Sequence, residues 1–230
     1  MSFFNKLFEI DSPKNTGLIV ENAVINNFGC IASGAYIIDY NKTIKSNPQN
    51  SYAYYYRGNL KRNIEDFWGA IEDYNKSIEI NSNFADVFYD RGIAKRNIKN
   101  YKGAIQDFTI AIKLNPAYAH AYNGRGIVRR EQNIYKGALD DYNKAVELNT
   151  HFVEAYVNRG DLKIDLKEYH AAVQDYSLAI EIDPKNAVAS YNRGNAKYLM
   201  GDNEGASTDW RNAIDLGLTD FYKTINLNYK

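Results

Sequence analysis

The amino-acid sequence predicts an all-α fold, a solenoid of stacked helix–turn–helix repeats, from three observations. The dipeptide Arg-Gly recurs at Arg57-Gly58, Arg91-Gly92, Arg125-Gly126, Arg159-Gly160 and Arg193-Gly194, each step being 34 residues. Ala70, Ala104, Ala138, Ala172 and Ala206 keep the same interval, and so do the aromatic residues Tyr74, Phe108, Tyr142, Tyr176 and Trp210. Within a unit the apolar positions follow a helical period, as in Tyr135, Ala138, Leu139, Tyr142, Ala145, Val146 and Leu148, the i, i+3, i+4, i+7 spacing of an amphipathic helix. Self-similarity at a fixed period of this size is the mark of a repeat architecture.

Taken in order, residues 1–16 form an apolar segment with Phe3, Phe4, Leu7 and Phe8, which Ser12-Pro13 brings to a stop. Residues 17–50 read as a degenerate first repeat, because Tyr40 and Pro48 sit one period before Tyr74 and Ser82. Its helices are expected near Leu18–Phe28 and Tyr36–Ser46. Five full repeats occupy 51–216, at 51–84, 85–118, 119–152, 153–186 and 187–216. In each, a polar stretch such as Arg129 to Asn133 separates two helices, and Asn115-Pro116 and Asp183-Pro184 punctuate unit ends. Residues 217–230 are expected to form a capping helix over Leu218–Leu227, with Phe221 and Ile225 covering the core face that a terminal unit would otherwise expose.

Composition narrows the function. The 230 residues carry 28 Lys+Arg and 28 Asp+Glu. A neutral chain lacks the basic field of a non-specific nucleic-acid binder, and the hydrophobic share of 45% is that of a globular protein. The apolar runs are too short to cross a bilayer, and no signal peptide is read at the start, so a cytoplasmic protein without membrane insertion is expected. One cysteine, Cys30, forbids an internal disulfide framework and reads as buried in the degenerate unit. His120, His151 and His170 lack metal-ligand spacing, and no nucleophile motif or phosphate loop is present. No metal, no cofactor and no catalytic residues are expected.

The pattern within a unit is an aromatic at position 4, Gly at 8, Ala at 20, an aromatic at 24, Ala at 27 and Pro at 32. In the third unit these are Tyr122, Gly126, Ala138, Tyr142 and Ala145, with Thr150 in the Pro place. In length and pattern residues 51–216 resemble the tetratricopeptide repeat family. Departures are Ser190 at position 4 of the last unit, Ser77 at position 27 of the first, and Arg at position 7 throughout. The resemblance implies a right-handed α-α superhelix whose concave groove, lined by positions 2, 5, 9, 12 and 13 of each first helix, binds a peptide or partner protein. Carried onto this chain, the candidate groove residues are Tyr52, Tyr55, Asn59, Arg62, Tyr89, Arg96, Asn123, Arg130, Asp161, Asp165, Tyr191, Asn195 and Tyr198. The carboxylate clamp of chaperone-binding relatives, Lys at position 5 with Asn at 9, is not matched: Asn59 and Asn195 stand without the Lys.

Recurrence among the five copies adds a second reading. Arg at position 7, Lys or Arg at position 11 (Lys61, Lys95, Arg129, Lys163 and Lys197) and Asp at position 23 (Asp73, Asp107, Asp141, Asp175 and Asp209) are each present five times. Arginine near a packed surface needs a partner, so each position-7 Arg is expected to pair with a position-23 Asp, in its own unit or the preceding one. The degenerate unit has Asp39 but Ala23 at position 7, which favours the preceding-unit pair Asp39–Arg57. The Gly at position 8 is expected to admit a close helix pairing against the Ala at position 20. The groove is expected to run from basic, with Arg62, Arg96 and Arg130, to acidic, with Asp161 and Asp165. The function expected is a non-catalytic interaction scaffold. Self-assembly through the N-terminal apolar segment, giving a homo-oligomer, and single-stranded RNA binding through Tyr and Arg stacking stay open as alternatives.

Overall fold

A computed structural model describes residues 29–218, with side chains from residue 37 onward. The apolar segment 1–16, the expected helix Leu18–Phe28, the environment of Cys30 and the expected capping helix lie outside the described residues. The described part is helical throughout. It falls into two compact units, one ending at Ile80 and one beginning at Asn81. The first holds α1 (Gly29–Ser46), α2 (Ser51–Asn63) and α3 (Phe67–Ile80). The second holds α4 (Ala85–Asn97), α5 (Tyr101–Leu114), α6 (Ala119–Glu131), α7 (Tyr135–Leu148), α8 (Val153–Asp165), α9 (Tyr169–Ile182), α10 (Ala187–Leu199) and α11 (Asn203–Asp215). Helix α1 begins seven residues before the Tyr36 expected from the pattern.

In the second unit each first helix packs on the second helix of its own repeat, and that helix packs on the next repeat. First helices also touch one another in sequence, α4 with α6, α6 with α8 and α8 with α10. In the first unit α2 packs against both α1 and α3. Such a stack of helix pairs is an all-α helical repeat solenoid.

The corner between the helices of a repeat is made by the backbone. Position 15 takes a left-handed conformation in every repeat, at Glu65, Lys99, Asn133, Lys167 and Gly201, with φ between 58° and 86°. The amide of position 16 donates to the carbonyl of position 11, as Ile134 does to Arg129 at 2.8 Å, and that of position 15 to position 12, as Asn133 does to Arg130 at 2.9 Å. This pair of bonds is a Schellman motif, which satisfies carbonyls that the end of a helix would leave open. Three of the second helices then start on a side-chain cap: Asp66, Asn100 and Asp202 each accept the amide three residues on.

The glycine at position 8 lies against the aromatic ring at position 24. A Cβ on Gly126 would stand 2.7 Å from Cε1 of Tyr142, and Gly58 and Gly160 stand in the same relation to Tyr74 and Tyr176. The alanine at position 20 contributes behind the ring: the carbonyl oxygens of Ala70 and Ala206 lie 3.3 and 3.1 Å from a Cβ on Gly58 and Gly194. These rings are buried, at 0% exposure for Tyr142, so the ring cannot swing aside. A glycine in a helix costs about 1 kcal/mol against alanine. Here it makes room for the largest side chain of the pair.

The Arg–Asp ladder forms, but within each unit. Nε of Arg57 donates to Asp73 at 2.8 Å, Arg91 to Asp107 at 2.9 Å, Arg159 to Asp175 at 2.9 Å and Arg193 to Asp209 at 2.8 Å. Arg125 completes the set on Asp141, with Nη2 at 2.7 Å. The expected preceding-unit pair Asp39–Arg57 is therefore corrected: Asp39 meets Lys42 at the surface, and Arg57 reaches back only to Asn41. The reason is the sixteen-residue spacing, which brings position 7 opposite position 23 of the same hairpin. What faces Arg from the preceding repeat is position 25, a neutral acceptor at Thr109, Asn143 and Ser177. The position-11 cation closes the other side of each carboxylate, with Lys61, Lys95, Arg129, Lys163 and Lys197 at 2.7 to 2.9 Å. In four repeats the aromatic at position 4 covers the guanidinium, as Tyr122 does Arg125 at 5.6 Å. Where Ser190 replaces it, Arg193 is the most exposed of the five, and the serine accepts a bond from Asn212 instead.

Two predictions follow from this packing. Gly126→Leu overfills the space beside Tyr142 and lowers stability by about 1–3 kcal/mol, read as a fall in the thermal midpoint. For Asp209, burial pushes the carboxyl up, but the bonds from Arg193 and Lys197 together outweigh it and hold it below the usual range. A depressed folded value adds stability that is present above about pH 4 and is lost as pH falls through the folded value. Urea unfolding of Asp209→Asn at successive acid pH values should lose that part of the pH dependence.

Candidate functional site

In the second unit the candidate surface is built by the first helices of the repeats, and their contacts with each other define it. Tyr89 packs between Phe108 and Tyr118, at centroid distances of 5.8 and 5.1 Å. His120 stacks on Phe152 at 4.5 Å, and the Tyr118 hydroxyl donates to Asp86 at 2.7 Å. Burial against these rings lowers the His120 pKa, with Glu154 opposing, so the imidazole is neutral at pH 7. At the far end Val188, Tyr198 and Leu199 of α10 are about half exposed, and Tyr198 leans on Trp210 at 5.8 Å.

The charges on this surface pair across repeats. Arg96 binds Glu131, with Nε at 2.9 Å, and Arg130 binds Asp165, with Nε at 2.6 Å and a longer contact to Asp161 at 3.5 Å. The expected course from basic to acidic is therefore corrected for these residues. Arg96 and Arg130, both at position 12, each meet the carboxylate at position 13 of the next repeat, and the two signs cancel locally. Asn123, expected on the open wall, is 8% exposed and accepts from Asn158 at 3.0 Å. Asp161 accepts from Tyr176 at 2.7 Å and from Asn192 at 3.0 Å. Burial pushes its carboxyl up, while Tyr176 and Arg130 pull it down, and the balance leaves it above its ordinary value.

Tyr191 and Asn195 are half-buried on α10, and Asn195 accepts from Trp210 Nε1 at 3.0 Å. In the first unit Tyr52 is exposed, while Tyr55, Asn59 and Arg62 are half-buried. Tyr55 packs with tilted rings against Tyr56 and Tyr74, and Asn59 accepts from the Tyr74 hydroxyl at 2.6 Å.

A relation between positions 9 and 24 emerges that the sequence reading missed. Asn59, Asp161 and Asn195 each accept from the ring at position 24 of their own repeat: Tyr74, Tyr176 and Trp210. Ile93 faces Phe108, an apolar pair. Only the third repeat is mismatched among these five, because Ile127 packs on Tyr142 and offers no acceptor. The Tyr142 hydroxyl is buried without a hydrogen-bond partner among the described residues. The signal was available in the sequence as an Asn or Asp fifteen residues before each hydrogen-bonding ring except this one. Among the described residues no group of three or more His, Cys, Asp or Glu is arranged to hold a metal ion.

Family comparison agrees with this architecture. A tetratricopeptide repeat model matches residues 51–84, a second such model 89–151, and a TPR repeat model 160–201. The chain belongs to the tetratricopeptide repeat family. Among solved structures it is similar to MamA, with 25% identity and a TM-score of 0.64, over 71% of this chain and 95% of that one. It is also similar to YrrB, described as a TPR protein with an unusual peptide-binding site, with 26% identity and a TM-score of 0.61 over 77% and 92%. PilF of Pseudomonas aeruginosa shares the fold at 20% identity and a TM-score of 0.69 over 85% and 94%. No curated protein matches the sequence significantly. The architecture is that of a protein-interaction scaffold. No described helix is long and apolar enough to cross a membrane.

The mismatch at position 9 gives a stability test. A buried unsatisfied hydroxyl costs about 1–3 kcal/mol. Tyr142→Phe should therefore leave the thermal midpoint unchanged or raise it. Tyr176→Phe, which removes the donor to Asp161, should lower it.

Proposed function

We propose that this protein is a non-catalytic scaffold that docks an extended or helical peptide segment of a partner protein on the wall formed by its first helices. The observation that carries the reading is the contrast within the repeat. Positions 7, 8, 11, 20, 23 and 24 keep the same residue types in every copy and are used up by internal packing. Positions 2, 5, 9, 12 and 13 change from copy to copy on helices that touch in sequence from α4 to α10. A rigid framework that presents variable side chains at a fixed spacing binds with little ordering cost, since the loss of side-chain and loop freedom is small. The surface offers aromatic area at Tyr198 and His120 with amide groups between, which suits a polypeptide ligand. Its local charge cancellation disfavours a polyanion such as RNA, whose binding rests on uncompensated cations. The description of YrrB as peptide-binding supports the same class of ligand.

The test is selection from a displayed random 12-residue peptide library against the immobilised full chain. Enrichment of a consensus is expected, and the double variant His120→Ala/Tyr198→Ala should lose capture of the enriched peptide by about tenfold or more, as expected when two aromatic anchors are removed, without a fall in thermal midpoint. No enrichment, or equal capture by the variant, would sink the reading.

A further inference from the structure

Among the described residues of the second unit, the Tyr142 hydroxyl is the one buried side-chain polar atom without a hydrogen-bond partner. It lines a cleft of about 570 Å³ with Arg96, Arg130, Glu131, Asn158 and Asp165. The whole residue, hydroxyl included, is 0% exposed. Burial raises the hydroxyl's pKa, so it remains protonated and can donate across the working pH range. A buried donor without an acceptor is rare in native proteins and marks a strained group, one met by water or an ion, or one directed at a ligand.

The cleft also limits what can meet that donor. Its two guanidinium groups are already committed, Arg96 to Glu131 and Arg130 to Asp165 and Asp161. An entering carboxylate would lie beside these carboxylates and would have to break an existing pair to gain a cation. An entering ammonium would face the two arginines. An apolar side chain would fit beside Ile127 but would leave the hydroxyl unsatisfied, which forfeits the bond's contribution. A neutral group that accepts from Tyr142 and donates in return is the remaining class. Asn158, which also lines the cleft, donates its amide nitrogen to Asn123, and its carbonyl oxygen keeps the capacity to accept.

We propose that the cleft at Tyr142 is an anchor subsite for a side-chain amide, a Gln or Asn of the docked peptide, whose carbonyl accepts from the Tyr142 hydroxyl while its NH₂ donates to Asn158. This rests on the peptide-scaffold reading and sharpens it to a residue class at one place on the wall. The other repeats close the same position internally with Asn59, Asp161 and Asn195, or leave it apolar with Ile93 and Phe108. The third repeat combines the apolar position 9 of the second repeat, Ile127, with the hydroxyl-bearing ring of its other siblings, Tyr142, and that combination turns an internal bond into an external one.

The experiment uses four acetylated heptapeptide mixtures with random flanks and a central Gln, Asn, Glu or Leu. Each is passed over immobilised full-length protein, and retention is read by mass spectrometry. The wild type is expected to retain the Gln or Asn mixture about fivefold better than the Glu and Leu mixtures, the factor that one net hydrogen bond supplies. Tyr142→Phe removes the donor, and Ile127→Asn satisfies it internally as Asn59 does for Tyr74. Both should erase the preference while thermal unfolding confirms that each variant is folded. Equal retention of all four mixtures by the wild type would mean that water alone satisfies the hydroxyl; it would overturn this subsite and leave the scaffold reading standing. A preference for Glu, or an amide preference that survives Tyr142→Phe, overturns it as well. Retention of none of the mixtures counts against the scaffold reading and the subsite together.

Discussion

Each repeat is organised around one buried carboxylate. Asp73, Asp107, Asp141, Asp175 and Asp209 are 1–3% exposed and sit on the second helix of their repeats. Each receives a two-pronged arginine and a second cation from the first helix. Burying an aspartate in this way is not a large net source of stability, because desolvation cancels most of the attraction. Its effect is on geometry. A carboxylate turned away from both its cations is a stranded buried charge, at a cost of about 3–5 kcal/mol, so alternative rotations of one helix on the other are excluded. With the angle of the hairpin set, the ring at position 24 lands on the glycine at position 8, and the first helices are aligned to touch one another in sequence.

The consequence for the surface is that it is preorganised by contacts it does not share with a ligand. The arginines at position 7 and the cations at position 11 are consumed by the aspartate, and Arg96 and Arg130 at position 12 by carboxylates of the following repeat. The sequence has 28 cations and 28 anions, and much of that balance is spent at short range inside the stack. A partner approaching the second unit meets rings, amides and one unmatched hydroxyl, in a setting where long-range steering is weak and short-range fit decides.

Much of this was legible in the sequence because five copies act as their own comparison. The helices, the arginine–aspartate ladder and the glycine at the helix crossing all follow from recurrence at one interval. What could not be read was which neighbour a side chain meets. Asp39 and Ala23 suggested pairing between repeats, yet the hairpin folds position 7 onto position 23 of its own unit. Arg96 and Arg130 looked like a basic stripe because one repeat was read at a time. Their partners, Glu131 and Asp165, are thirty-five residues away, one more than the period, which a column-by-column reading does not line up. The left-handed residue at position 15 was hidden for a different reason. Glu65, Lys99, Asn133 and Lys167 carry no common side-chain chemistry, because the bonds of that corner are made by the backbone.

The placement of the buried polar partners bears on how such a chain can be lengthened or shortened. The carboxylate and both its cations, the glycine and its ring, and the acceptor at position 9 with its donor all lie within one thirty-four-residue segment. Across the joints the arginine at position 7 meets only small neutral groups, at Asn41, Thr109, Asn143 and Ser177, which are interchangeable. A copy of one segment spliced in at a unit boundary would bring the counter-charges of its buried carboxylate with it, whereas the outer pairs Arg96–Glu131 and Arg130–Asp165 cross a joint and depend on which repeats adjoin. Tandem duplication therefore leaves the inner ladder of this chain intact, and its electrostatic consequence falls on the outer pairs alone.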